Sequence, residues 1–144
     1  MTKYNFRTIK KEIDQGIWHQ GYLIYGEEKY LIKQIIDLIC RRFVAAQMQD
    51  IDLVKIAIGS QLSDADIERI KQELKTPPFM SERKVILIEN TRIFARAVQG
   101  QSEVHKKNQE EFSRIFPLLN PGSCLIIHEA TVDGRLKKIL QNWF

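Results

Sequence analysis

No stretch of this chain is apolar for long. Its longest hydrophobic runs, such as "VILI" and "CLII", fall far short of the roughly 20 residues that a membrane-spanning helix needs. No N-terminal segment joins a basic start to a long apolar stretch and a small-residue cleavage site. A soluble, cytoplasmic protein without a membrane partner is the expectation. Cysteine is scarce too: Cys40 and Cys124 sit in apolar contexts with no cysteine or histidine at metal-ligand spacing. Both read as reduced core residues, and no metal or other cofactor is expected. A strong charge of one sign is also missing, since 22 basic residues against 18 acidic ones leave a net charge of only +4. Both signs are interspersed, so the excess is too mild to define a nucleic-acid binder and reads as solvated surface.

Catalytic signatures fail in turn. "HEATV" begins like the zinc motif His-Glu-x-x-His, but Val132 holds the second histidine position, so two imidazoles cannot meet on one helical face. No serine stands in a Gly-x-Ser-x-Gly elbow, and His19 and His105 stand alone in the sequence. The chain reads as non-catalytic.

What it does have is a regular alternation of apolar segments. With 144 residues and 44% apolar content, it can bury one substantial core, the size of one ordinary domain. Phe6, Ile9 and Ile13 fall at helical spacing, with Gly16 and Gly21 bracketing the exit. "YLIY" reads as a strand, and a helix follows over residues 27–42 with apolar side chains around more than half its circumference. Residues 51–58, "IDLVKIAI", favour a strand with Val54, Ile56 and Ile58 on one face. Ser63 then reads as a helix N-cap, with Asp66 as its acidic partner and Leu62 and Ile67 as a hydrophobic staple. Ile67, Ile70 and Leu74 carry the apolar stripe on until Pro77 and Pro78 stop the helix.

"KVILIEN" and "SCLIIHE" are continuous apolar runs, as found in parallel strands covered on both faces. Between them, residues 96–107 lack clear periodicity and read as a mobile loop leading into a helix that carries Phe112, Ile115 and Phe116. A last helix, capped by Asp133, would align Leu136, Ile139, Leu140 and Trp143. Alternating strands and helices imply a three-layer α/β fold with a mainly parallel sheet. The apolar ending "ILQNWF" lacks a capping glycine or polar tail, as expected of one domain from a longer protein.

Two segments remain. "YLIYGEEKYLIKQII" has the strand, tight turn and helix of a phosphate-binding loop. That loop needs a second glycine, a lysine and a hydroxyl at fixed spacing. Counted from Gly26, these positions hold Leu31, Ile32 and Lys33, and all three fail. Glu89 and Asn90, at the end of "VILIEN", supply only half of the acidic pair that would hold magnesium. In "ELKTPPFMSERK", two prolines hold the chain extended immediately before Phe79 and Met80. The sequence allows Phe79 either to tuck under the sheet or to stand out as an apolar prong, and aromatic anchors of the second kind commonly dominate interfaces.

Taken in order, "YLIYGEEKYLIKQII", "ELKTPPFMSERKVILIEN" and "SCLIIHEATVDGRLKKIL" resemble the N-terminal domain of the bacterial DNA polymerase III delta subunit over nearly the whole chain. The resemblance implies a P-loop-NTPase or AAA+-like fold with a degenerate, non-functional phosphate loop at Gly26, Leu31, Ile32 and Lys33. It also implies a clamp-loader role: binding the ring-shaped beta sliding clamp and helping to open it for loading onto primed DNA. Polymerase activity and the ATP-driven cycle would then belong to other subunits, which this one would meet mainly through further domains. The family contact is a helix end plus an apolar pair ending in Phe, here Pro78 and Phe79. Leu74, Lys75, Thr76 and Pro77 would form the approach, with Met80 at the margin. The family pair is often Leu-Phe, so Pro78 departs from the pattern and cannot fill the same volume. The family's lid and collar domains have no counterpart segment in residues 1–144, the single clamp-binding domain of this reading. Two other functions stay open: a weakly basic DNA-binding domain using Arg135, Lys137 and Lys138, and a nucleotide-binding phosphotransfer enzyme.

Overall fold

The computed structural model describes residues 6–95, 100 and 102–132. The elements follow in the order α1 (Phe6–Asp14), β1 (Gly21–Tyr25), α2 (Lys29–Phe43), α3 (Gln49–Asp52), β2 (Leu53–Ala57), α4 (Asp64–Lys75), β3 (Lys84–Glu89), α5 (Ser102–Ile115) and β4 (Ser123–Glu129). Short 3-10 turns at Ala46–Met48 and Phe116–Leu118 complete it.

The four strands are parallel, in the spatial order β1-β4-β3-β2. Successive side chains on a strand point to opposite faces, and that alternation divides the core. Tyr22, Ile24, Val85, Leu87, Cys124 and Ile126 gather with Ile9 and Ile13 of α1 and with Ile32, Ile36, Ile39 and Phe43 of α2. Ile86, Ile88, Leu125 and Ile127 gather with Ile70 and Leu74 of α4 and with Phe112 and Ile115 of α5. Helices therefore cover both faces, which gives the three layers expected from the sequence. The central strands β3 and β4 have no polar face because both of their faces are buried.

Local signals read from the sequence recur in the fold. At the start of α4 the Ser63 hydroxyl accepts the Asp66 N–H at 3.1 Å, and the Asp66 carboxylate accepts the Ser63 N–H at 3.0 Å. Both cysteines are buried free thiols. Burial pushes the Cys40 thiol up to about 11 and the Cys124 thiol further in the same direction, so neither is a ready nucleophile.

Two expected boundaries differ. Residues 51 and 52 belong to α3 and β2 begins at Leu53, because the Asp52 carboxylate turns inward to accept backbone N–H groups. The helix carrying Phe112 begins at Ser102, inside the segment expected to be a loop. Its first two turns are mostly exposed and so need no apolar periodicity. Residues 96–99 and 101 of that segment, and the whole last helix expected from Asp133 onward, lie outside the described residues.

Candidate functional site

Open parallel sheets ordinarily bind ligands beyond the carboxyl ends of their strands. Here β1 runs into Gly26, whose φ of +134° suits glycine and few other residues. α2 starts three residues later, at Lys29, and Glu28 gives it no side-chain cap. A helix N-terminus attracts anions, but exposed Glu27 and Glu28 stand at this one and repel a phosphate. Ile32 is buried, while Leu31 is 37% exposed and Lys33 is exposed. Of these two apolar side chains, only Ile32 is enclosed. Hydrocarbon thus occupies both positions where a phosphate loop has its second glycine and its lysine.

The other carboxylates of this edge are engaged with the chain itself. Glu89 Oε2 lies 3.2 Å from Nδ1 of His128 across neighbouring strands. Glu129 is buried and accepts the N–H groups of Thr91 at 3.0 Å and Arg92 at 3.1 Å, together with the Thr91 hydroxyl. Burial pushes its carboxyl above the usual range, against the opposing pull of those hydrogen bonds. These contacts fix the turn after β3, in which Asn90 and Arg92 hold positive φ values of 64° and 63°. Among the described residues no three His, Cys, Asp or Glu side chains form a group able to hold a metal ion.

The amino edge of the sheet is built differently. α4 ends at Lys75 and leaves orphan carbonyls, which the first residue of β3 collects. The Lys84 ammonium, almost wholly buried, donates to the Glu73 carbonyl at 3.0 Å, the Glu73 carboxylate at 2.7 Å and the Thr76 carbonyl at 3.4 Å. A cation at a helix C-terminus also complements the macrodipole. The Asn120 N–H donates to the Leu74 carbonyl at 2.8 Å. The helix end is closed from two sides.

Between that end and β3, residues 77–83 form a pinned turn. Asp52, 1% exposed, accepts three consecutive backbone N–H groups: Phe79 at 2.6 Å, Met80 at 3.1 Å and Ser81 at 2.9 Å. Burial works to raise this carboxyl, but those N–H groups and the Ser81 hydroxyl outweigh it and hold it below the usual carboxylate value. The Ser81 oxygen accepts the Ala45 N–H at 3.0 Å, and Glu82 pairs with Arg42 at 2.7 Å. Arg83 lies 4.2 Å above the Trp18 ring, and its backbone N–H donates to the Phe43 carbonyl at 3.2 Å. On the other side the Pro78 ring abuts Gly122, where an added Cβ would sit 3.1 Å from Pro78 Cδ.

Held in this frame, Phe79 is 68% exposed and Met80 70% exposed. Of the two placements the sequence allows, Phe79 takes the exposed one. The expected contact residues divide as follows. Phe79 and Met80 form an apolar surface, and Lys75, Thr76 and Pro77 are exposed beside them in the chain. Pro78 is half-buried against Gly122, a wedge more than a contact. Leu74 is 0% exposed and belongs to the core, so its side chain anchors the helix end and presents nothing to a partner. Asp52 is the residue that sequence reasoning missed. It stands 27 positions before Phe79, inside a segment that reads as a strand, and no local pattern marks it. Arg135, Lys137 and Lys138 lie outside the described residues.

Residues 22–144 match the family described as DNA polymerase III, delta subunit. DNA polymerase III subunit delta of Bacillus subtilis (strain 168) is 26% identical over 82 residues, which cover 57% of this chain and 22% of that protein. Among solved structures, the Bacillus subtilis DNA clamp loader delta protein is similar with a TM-score of 0.76 and 19% identity, over 95% of this chain and 40% of that one. A DNA polymerase III gamma subunit-related protein from Thermotoga maritima is similar with a TM-score of 0.56 and 14% identity, over 94% of this chain and 49% of that one. At such identities the structural likenesses speak for the fold, which is AAA+-like. The chain spans less than half the length of each of these relatives.

Proposed function

The chain belongs to the DNA polymerase III delta subunit family, and on that premise we propose that residues 1–144 form a clamp-binding domain whose 77–83 turn docks on the beta sliding clamp. The observation that carries this reading is the exposure of Phe79 and Met80 on a backbone held by Asp52. Leaving a phenylalanine in water forgoes about 1.5–3 kcal/mol of transfer free energy, which a partner's pocket recovers. A prong already fixed in one conformation also loses less entropy on docking than a mobile loop.

Phe79, with Met80 beside it, enters an apolar pocket on the clamp and binds the distorted, interface-open ring better than the closed one. Only such a difference in affinity shifts the ring toward opening. The domain is non-catalytic and needs no cofactor, and the energy of the loading cycle enters through other loader subunits. What supports that division of labour is the Gly26 turn, where exposed Glu27 and Glu28 stand beside Leu31 and Ile32 in place of a phosphate loop's glycine and lysine. DNA contact is indirect or weak.

The test is affinity for purified beta clamp in a surface-binding assay. Phe79→Ala is expected to weaken binding by tenfold or more, on the order of the cost of truncating an interface anchor. An affinity within about twofold of the unsubstituted chain, well inside the spread of near-neutral contacts, would refute the proposal.

A further inference from the structure

Three successive N–H groups converging on one carboxylate is a demanding arrangement, because each bond restricts the same short stretch of backbone. In Asp52, Oδ1 takes the Phe79 N–H, while Oδ2 takes those of Met80 and Ser81. The position of the carboxylate is itself fixed. Asp52 immediately precedes β2, whose first residue, Leu53, is in register with Val85 of β3, so the sheet holds the acceptor and the turn at a set separation. Among the described residues its hydrogen bonds run to residues 79–81. The outcome is two large apolar side chains left in solvent, which does nothing for the core.

We infer that Asp52 is a positioning residue for partner binding: by tying the 79–81 backbone to the end of α3, it sets Phe79 and Met80 in their docking conformation before the partner arrives. The inference rests on the reading of this turn as the clamp contact. Asp52 need not touch the clamp to act, since it works through the backbone that carries the prong. Without it residues 79–81 lose three backbone restraints, while those at Ser81, Glu82 and Arg83 remain, and the docking-competent conformation becomes a smaller fraction of the population. Apparent affinity then falls by that fraction.

A double-mutant cycle on purified beta clamp, with Asp52→Asn and Phe79→Ala singly and together, separates the possibilities. Asparagine keeps the shape but puts an amide donor against a backbone donor. Asp52→Asn is expected to weaken binding roughly tenfold in the otherwise unchanged chain, and by no more than about threefold once Phe79 is gone, because coupled residues are non-additive. Equal losses in both backgrounds would make Asp52 a general stabiliser and overturn the inference. If Phe79→Ala alone has no effect, the clamp reading itself falls, a result distinct from equal losses. Amide hydrogen exchange on the unsubstituted chain adds a readout that does not depend on a variant folding. The amides of Phe79, Met80 and Ser81 are expected to be protected although they lie outside any helix or strand. Exchange at unprotected rates would overturn the inference directly.

Discussion

The carboxyl and amino edges of one parallel sheet carry opposite kinds of surface in this chain. At the carboxyl edge, Glu129 is spent on the turn after β3, Glu89 faces His128, and Glu27 and Glu28 stand where a phosphate would bind. At the amino edge, the buried Asp52 carboxylate holds a turn whose Phe79 and Met80 side chains are exposed. The two buried acids make the same kind of contact with opposite electrostatic outcomes. At Asp52 three N–H groups and a hydroxyl outweigh burial, and the carboxyl falls; at Glu129 burial outweighs two N–H groups and a hydroxyl, and it rises. The count of donors against the depth of burial decides the sign. At the edge that usually holds ligands the buried acid is turned onto the chain itself, while at the other end of the strands the buried acid holds Phe79 and Met80 in solvent.

The largest effect separates Leu74 from Phe79, only five positions apart. Leu74→Ala removes a fully enclosed side chain and is expected to cost about 2–5 kcal/mol of unfolding free energy in a denaturant titration. Next comes Lys84→Met. It deprives the end of α4 of its buried cation and leaves the carbonyls of Glu73 and Thr76 short of a donor. A loss of about 2–3 kcal/mol in the same titration is expected, comparable to leaving buried polar groups unsatisfied.

Smaller effects appear as slopes against pH. Asp52 is more acidic folded than its ordinary value of 3.8, so its contribution is complete above that value and is lost as pH falls through the lower folded value. The stability gap between the unsubstituted chain and Asp52→Asn should therefore close toward the acid end. Glu129 is less acidic folded than its ordinary 4.5, so it binds more protons folded than unfolded, and stability falls as pH rises from about 4.5 through the folded value. Glu129→Gln should remove that fall and gain on the unsubstituted chain as pH rises. Parallel slopes for the two variants would break the comparison of the two acids. Smallest of all is Phe79→Ala. With a side chain 68% exposed, it should change unfolding free energy by no more than about 0.5 kcal/mol.

How much of this was legible from the sequence depends on the range over which each feature is encoded. The strands "KVILIE" and "SCLIIHE" announce burial on both faces within six or seven residues, and the Ser63–Asp66 capping box spans four. Such features need no knowledge of distant chain. The failed phosphate loop is also a matter of fixed spacing, so Leu31, Ile32 and Lys33 could be judged in place. The exposure of Phe79 was not legible, because it depends on Asp52, 27 residues upstream, and on Gly122, 43 residues downstream. Leu74 carried two incompatible readings, as core stripe and as approach to a contact, and only the packing of α4 on the sheet chose the first. The start of α5 was hidden because its opening turns touch little, so no apolar period was required of them.

A direct comparison of the two edges uses one probe at two exposed aromatic positions. Tyr30, in the first turn of α2 at the carboxyl edge, is 74% exposed, and Phe79 at the amino edge is 68% exposed. A photo-crosslinking phenylalanine analogue placed at each in turn, with purified beta clamp and light, reports which edge the clamp meets. Covalent capture of the clamp from position 79, with none from position 30, is the expected result. Capture from position 30 alone would place the contact on the carboxyl edge and contradict the assignment of the 77–83 turn.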